Sequence, residues 1–135
     1  MGFGEAVRTC FSKYGTFSGR ASRSEFWWFY LFCVLVNLVL YIPVLLLGTA
    51  MTGPDSPSGA IVALWWIILI AWIILLLVLI VPQLSVGCRR LHDRGMSGWL
   101  QLLMVVPCGS IVLLIFWLMD STPGDNQYGA PVKRA

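Results

Sequence analysis

The sequence predicts an all-α membrane protein with three transmembrane helices, the third kinked or re-entrant, preceded by a short amphipathic interfacial helix. Two observations carry this prediction. Apolar residues make up 59% of the 135 residues and charged residues only 11%, whereas soluble domains average about 45–50% apolar and about 25% charged. Three uncharged stretches are also each long enough to cross a bilayer, which takes about 20 helical residues. This composition excludes a soluble globular domain and a disordered chain, and we expect one membrane domain over 1–135.

Residues 1–25 form a segment whose apolar side chains recur every three or four positions. This spacing is typical of an amphipathic helix, with apolar positions at Phe3, Ala6, Val7, Cys10, Phe11 and Tyr14. In a membrane protein such a helix lies in the cytoplasmic interface with its apolar face toward the lipid. The alternative is that it packs on the protein's own loops, and the sequence leaves the two open.

The predicted spans are 26–48, 60–84 and 99–119. Residues 52–59 join the first two spans and contain prolines and glycines but no Lys or Arg, which indicates a turn. Arginines are instead gathered in the loop 85–98, and further basic residues lie in 1–25. Because cytoplasmic loops are enriched in Lys and Arg, we expect the N-terminus and the loop 85–98 in the cytoplasm.

The third span contains helix-disturbing residues near its middle, at Pro107, Gly109 and Ser110. Proline removes a backbone hydrogen bond and glycine permits a bend. The length of the span favours a full, kinked crossing, which places the tail 120–135 outside. The alternative is a re-entrant segment whose turn is surrounded by protein, which leaves the tail in the cytoplasm.

Local patterns at the ends of the spans predict caps and anchors. Ser22 and Glu25 form the Ser-x-x-Glu capping box directly before the first span, which accounts for Glu25 without a catalytic role. Ser97 is placed to cap the helix of the third span. The indole rings expected to anchor the chain at the membrane interface are those of Trp27, Trp28 and Trp99.

The densest polar feature of the sequence is the run 89–94. One interpretation is topological, since each basic residue near an anionic leaflet contributes about 1 kcal/mol of attraction. The other is an anion site for a lipid head group or a phosphate-bearing ligand, because guanidinium groups bind phosphate through paired hydrogen bonds. The candidate binding residues are Arg20, Arg23, Arg89, Arg90, His92 and Arg94.

His92 and Asp93 do not make a catalytic or metal site on sequence grounds. A metal site needs three or four ligands and the chain has one histidine, while a general base also needs a nucleophile and an oxyanion partner. We therefore assign no catalytic residue, metal or cofactor, and expect Asp93 to pair with a nearby arginine or cap a turn. We expect free thiols at Cys10, Cys33, Cys88 and Cys108.

Three segments, taken in order, resemble the signatures of one family. The first is Phe17-Ser18-Gly19-Arg20-Ala21 with Arg23, Glu25, Phe26 and Trp27. The second is Arg89-Arg90-Leu91-His92-Asp93 with Gly95, Ser97, Gly98 and Trp99. The third is Pro123-Gly124 with Asn126, Tyr128-Gly129 and Pro131.

Together these segments are similar to the YhaH-like bacterial inner-membrane proteins, a domain of unknown function numbered 805, over residues 11–131. Gln127 departs from the pattern, because the family often has a basic residue there. The resemblance implies a small helical protein of the bacterial inner membrane and implies no activity. If the three signatures form one site they share a membrane face, which favours the re-entrant alternative.

Three classes of function are compatible with the sequence. The first is a non-enzymatic accessory or scaffold subunit of a larger membrane complex or homo-oligomer. The second is a binder, or an oligomeric carrier or channel, for an anionic lipid head group or phosphate-bearing ligand. The third is an enzyme on a lipid-linked substrate, which we rank last. The partners expected are membrane lipids, anionic ones above all, and other membrane proteins, with no nucleic acid; the location expected is the bacterial inner (plasma) membrane, crossed more than once.

Overall fold

A computed structural model describes residues 2–121 and 123–130 of the chain. Its elements are α1 (Phe3–Ser12), α2 (Arg23–Met51), α3 (Gly59–Asp93), a 3-10 helix (Gly98–Val105) and α4 (Gly109–Leu118). No β-strand occurs among the described residues, so the all-helical fold class is confirmed. The end of the predicted tail, with Pro131 of the third signature, lies outside them.

Two helices are long and apolar enough to cross a membrane. α2 has 29 residues and α3 has 35, so at about 1.5 Å per residue both exceed the hydrocarbon core of about 30 Å. Only 6% of the most apolar window of each helix is buried inside the protein. The core helix of a soluble protein is mostly buried, so the apolar side chains here are available to lipid or to a partner.

α3 extends beyond the apolar stretch that predicted it. The predicted span ended at residue 84 and was followed by a basic loop over 85–98, but the helix continues to Asp93. Hydropathy marks where the apolar stretch ends and not where the helix ends, because arginine and leucine both have high helix propensity. In the same way α2 begins at Arg23, before the predicted span 26–48.

Residues Phe32–Ile80 form one unit, a helical hairpin. The Trp72 indole N–H donates to Asn37 Oδ1 at 3.1 Å, and the Trp65 indole N–H donates to the Val44 carbonyl at 3.0 Å. Val44 follows Asn37 along α2, whereas its partner Trp65 precedes Trp72, the partner of Asn37, by the same number of residues along α3. The two helices therefore run antiparallel. Polar groups within the apolar stretches find their hydrogen bonds inside this hairpin, as lipid requires.

Segments Met1–Leu31 and Val81–Ala135 form the other unit. Within it α1 packs on the first turns of α2, where Phe11 meets Phe29 edge-on at 5.7 Å and Phe3 meets Trp28 at 5.8 Å between ring centroids. Cys10 of α1 is fully buried. The apolar face of α1 thus contacts protein, and its position at the membrane interface stays a prediction.

The third apolar stretch is not one continuous helix. The 3-10 helix ends at Val105, Cys108 adopts a left-handed backbone with φ of 65°, and α4 begins at Gly109. Pro107 lacks the N–H that would continue the helix. Gly109 lies so close to the Leu103 carbonyl that a Cβ there would collide with it, so α4 folds back against the 3-10 helix.

Candidate functional site

Six polar residues from three separate segments of the sequence lie together in the unit formed by Met1–Leu31 and Val81–Ala135. Each is at most 8% exposed. They come from the segment before α2, the first turn of α2 and the last turns of α3. Because burying a charge is costly unless it is paired, the partners of each residue decide what the group can do. We call this group the polar cluster: Arg20, Glu25, Arg89, Arg90, His92 and Asp93.

Asp93 joins two arginines of the polar cluster. Its Oδ1 accepts from Arg20 Nε at 2.8 Å and its Oδ2 accepts from Arg90 Nη1 at 2.5 Å. The Ser121 hydroxyl also donates to Oδ2. All three charged side chains are buried, so one carboxylate at the end of α3 holds the segment before α2 through Arg20.

The Arg20 guanidinium also binds the tail of the chain, through a nitrogen other than the Nε that binds the Asp93 carboxylate. Its Nη1 donates to the carbonyls of Gly124 at 2.9 Å and Gly129 at 3.2 Å. Asn126 and Gly129 exchange backbone hydrogen bonds, and the Asn126 amide donates to the His92 carbonyl at 3.0 Å. The two glycines have φ of 71° and 118°, a backbone conformation that favours glycine, and it turns their carbonyls toward Arg20.

The end of α4 is held by arginines of α2 and α3. Arg90 Nε donates to the Trp117 carbonyl at 3.1 Å, and its Nη2 donates to the Met119 carbonyl. Arg23 and Arg94 bind the next carbonyls of the same turn, those of Leu118 at 3.2 Å and Asp120 at 2.9 Å. Cations are favourable beside the negative end of a helix dipole, where the last carbonyls lack partners.

Arg23 and Arg94 lie at the rim and not inside the polar cluster. Arg23 pairs with the Asp120 carboxylate at 2.8 Å, but the two side chains are 54% and 83% exposed. Water screens such a pair, which is worth about 0–1 kcal/mol. Arg94 is half-buried. Of the candidate anion-binding residues, these two keep the most contact with the surface, and the other four are buried among protein partners.

Glu25 pairs with Arg89 at 2.6 Å, and the two side chains are 0% and 1% exposed. The Ser22 hydroxyl accepts from the Glu25 backbone N–H at 3.2 Å, which is the cap that the Ser-x-x-Glu pattern predicts. The Glu25 side chain itself turns to the arginine. In the described part of the chain, Glu25 Oε2 and Arg89 Nε and Nη2 have no hydrogen-bond partner.

Cys10 approaches the same ion pair from α1. Its Sγ lies 3.8 Å from Glu25 Oε1. Burial, and next the neighbouring Glu25 carboxylate, raise the pKa of the Cys10 thiol to about 12. The thiol is therefore protonated and acts as a hydrogen-bond donor to Glu25, which gives it no nucleophilic character near neutral pH.

His92 is fixed by three contacts. Its Nδ1 lies 2.9 Å from the Gly19 carbonyl, so this nitrogen carries the hydrogen. Its Nε2 lies 3.6 Å from Cys88 Sγ, and its ring stacks on Tyr128 with centroids 3.8 Å apart. Among the described residues no three His, Cys, Asp or Glu side chains are grouped as a metal site.

The predicted caps and anchors occupy varied surroundings. The Ser97 hydroxyl accepts from the Trp99 backbone N–H at 3.3 Å at the start of the 3-10 helix. Trp99 is 79% exposed and Trp28 is 39% exposed, whereas Trp27 is half-buried and packs on Phe26 with centroids 5.1 Å apart. Their placement at a membrane interface stays a prediction.

Sequence reasoning missed two contributors to the site. It explained Glu25 by a local cap and so did not find its ion pair with Arg89. It also gave the tail no partner, although Tyr128 and the two glycines that bind Arg20 belong to the third signature. The signal available was the joint occurrence of the three signatures, which would be expected if they form one site.

Comparison with known proteins identifies the family of this chain. The family model described as a protein of unknown function, DUF805, matches residues 14–130. The inner membrane protein YhaI of Escherichia coli K12 is 35% identical over 118 residues, covering 87% of this chain and 86% of its own length. The inner membrane protein YhaH of the same strain is 31% identical over 122 residues, covering 90% of each chain. No solved structure matches. The chain belongs to the DUF805 family of inner membrane proteins.

Proposed function

We propose that this protein is a non-enzymatic accessory or scaffold subunit of the inner membrane. The observation that carries the proposal is that the buried charged side chains bind other groups of the same protein. Arg20 and Arg90 share Asp93, Arg89 pairs with Glu25, and their remaining contacts in large part are backbone carbonyls. These side chains fasten segments of the protein to one another, which supports a structural role better than a site built to receive a reactant.

The lipid-exposed helices supply a surface for partners. The most apolar windows of α2 and α3 are almost entirely unburied, so apolar packing against another membrane protein is available along both. Helix association in lipid depends on close packing and a few interhelical hydrogen bonds. A unit tied by buried ion pairs holds the ends of these helices in fixed positions, which suits a scaffold.

The third apolar stretch fits a re-entrant segment. It starts after the end of α3, and its last carbonyls bind arginines at the ends of α2 and α3. At about 2.0 Å per residue the 3-10 helix Gly98–Val105 rises about 16 Å, and α4 at about 1.5 Å per residue rises about 15 Å. Each covers about half of a 30 Å hydrocarbon core. The stretch thus enters and returns on one side, which the positive-inside rule makes the cytoplasm.

Labelling of introduced cysteines tests this topology. In a Cys108→Ser background, single variants Thr16→Cys, Asp125→Cys and Ser56→Cys are exposed to a membrane-impermeant maleimide in intact and in permeabilised cells. We expect Thr16→Cys and Asp125→Cys to react only after permeabilisation, and Ser56→Cys to react in intact cells. Reaction of Asp125→Cys in intact cells would mean a full third crossing and would refute the re-entrant segment.

Native mass spectrometry tests the accessory role. The protein is expressed at its native level, extracted in a mild detergent and weighed together with what accompanies it. A larger complex of fixed stoichiometry is the expected result. A bare monomer would contradict the proposal. A homo-oligomer carrying one discrete anionic lipid would support the second candidate instead.

That second candidate is binding of an anionic head group at the rim of the polar cluster. It is favoured by Arg23, whose side chain is 54% exposed and whose one carboxylate partner is 83% exposed. An incoming phosphate can compete with such a weakly held partner. The test compares phosphatidylglycerol retained by the native protein and by Arg23→Gln. Equal retention, with Arg8→Gln as a control for general surface charge, would remove this candidate.

A further inference from the structure

The unit formed by Met1–Leu31 and Val81–Ala135 contains a cavity of about 750 Å³, and His92 is the one member of the polar cluster among its described lining residues. Its walls come from α3, the 3-10 helix and the tail, and include Leu84, Cys88, His92, Gln101, Met104 and Tyr128. Sites for small organic ligands measure about 300–1,000 Å³. The size is therefore that of a binding site, although no sequence motif pointed to it.

The polar groups on the walls are already engaged. The Gln101 amide N–H donates to the Leu84 carbonyl at 3.0 Å, and Ser97 caps the 3-10 helix. Cys88 Sγ lies 3.5 Å from the Phe17 carbonyl and faces His92. No Asp, Glu, Lys or Arg of the described chain lines the cavity. A charged ligand would lose its hydration here with nothing to replace it, so the walls fit a hydrocarbon.

The rim of the cavity is apolar and open. Four residues of the 3-10 helix both line the cavity and stand exposed: Trp99 at 79%, Leu102 at 62%, Met104 at 55% and Val105 at 84%. In the re-entrant arrangement proposed above, this helix lies at membrane depth. The mouth of the cavity then opens to the hydrocarbon of the cytoplasmic leaflet and not to water.

Close approach of two helices forms the inner wall. A Cβ on Gly98 would collide with Cys88 Sγ, so the start of the 3-10 helix rests directly on α3. Stacking of Tyr128 on His92 brings the tail to the same wall. The cavity is thus bounded by segments that carry the second and third signatures.

We propose that this cavity binds one acyl chain of a membrane lipid from the cytoplasmic leaflet. The proposal rests on the re-entrant placement of the third stretch, and it does not depend on a protein partner. It concerns the lipid's hydrocarbon chain, and so differs from head-group binding at Arg23.

Photolabelling of the purified full-length protein in nanodiscs tests the proposal. One probe is a phosphatidylcholine with a diazirine at the end of an acyl chain, and the matched probe carries the diazirine on its head group. We expect the chain-end probe to modify cavity residues, Met104 among them, up to one adduct per protein, and the head-group probe to leave them unmodified. Equal modification by both probes would overturn the acyl-chain proposal.

Filling the cavity supplies the second readout. Leu84→Trp should reduce chain-end adducts in the cavity at least fivefold, while Val39→Trp, at a 69% exposed site on α2, should not. Leu102→Trp replaces Leu84→Trp if the latter fails to fold. Adducts that follow exposure along the lipid-facing helices, unchanged by either filling variant, would show surface lipid only and refute the proposal. Because the nanodisc holds no other protein, a failed accessory role would leave this result unaffected.

Discussion

Replacing Asp93 by Asn removes the carboxylate on which the polar cluster is centred. Asp93 accepts from Arg20 at 2.8 Å and from Arg90 at 2.5 Å, and both arginines are at most 3% exposed. Removing one partner of a buried ion pair costs about 3–5 kcal/mol, because a buried charge is left uncompensated. Asn keeps one acceptor oxygen and both arginines keep carbonyl partners, so we place the loss at about 3 kcal/mol.

The matched control is Asp120→Asn, which makes the same chemical change at an exposed ion pair. Asp120 is 83% exposed and its partner Arg23 is 54% exposed, so we expect a loss of about 0–1 kcal/mol. Thermal unfolding in detergent, followed by tryptophan fluorescence, measures both variants. We expect Asp93→Asn to lower the Tm by about 10 °C. The reasoning would be refuted if Asp93→Asn lost less than about 1 kcal/mol of stability relative to the native protein, or if Asp120→Asn lost as much as Asp93→Asn.

Three further predictions concern packing and thiol chemistry. Gly109→Ala brings a Cβ against the Leu103 carbonyl and should lower the stability of the fold by about 1–3 kcal/mol. The control Gly4→Ala, whose Cβ meets no atom within 4 Å, should be neutral or stabilising by about 0.5–1 kcal/mol. The same thermal unfolding assay compares the two variants. The pKa of Cys10 is raised to about 12, so we expect N-ethylmaleimide to leave this thiol unmodified in the folded protein up to about pH 9. Unfolding should make the thiol reactive. Modification of Cys10 in the folded protein would contradict its burial. Glu25→Gln removes the carboxylate that helps raise this pKa, so peptide mass spectrometry should find faster alkylation of Cys10 at about pH 9, and an unchanged rate would count against the Cys10–Glu25 contact.

Helices that depend on continuous local patterns could be predicted from the sequence. The uncharged stretches predicted α2 and α3, and the three- and four-residue spacing of apolar residues predicted α1. The end of α3 could not be predicted in this way, because its last turns are stabilised by ion pairs to distant segments. Arg89, for example, pairs with a residue 64 positions away. A hydropathy pattern contains no information on such a partner.

The members of the polar cluster were predicted only in part. Its arginines and His92 were candidates for binding an external anion, and the sequence correctly paired Asp93 with a nearby arginine, Arg90. It did not predict that Asp93 also binds the distant Arg20. A local interaction also concealed a long-range one: the helix cap at Ser22 explained the presence of Glu25, so its ion pair with Arg89 was not predicted. Contributions from backbone carbonyls, such as those of Gly124, leave no side-chain signal in a sequence.

The re-entrant arrangement proposed for the third stretch gives a physical reason for the run of arginines at the end of α3. A segment that turns back within a membrane ends its last helix with carbonyls that have no partners within that helix, and lipid cannot supply donors. Arginine offers five donors in a rigid fork, so one side chain can satisfy a carboxylate and two carbonyls together. Arg90 does this for Asp93 and the end of α4. Together with Arg23 and Arg94, it supplies hydrogen bonds to each consecutive carbonyl of that turn, those of Trp117, Leu118, Met119 and Asp120. If the third stretch is re-entrant as proposed, the charge pattern that resembles an anion site is accounted for by the hydrogen bonds that the end of the returning segment needs.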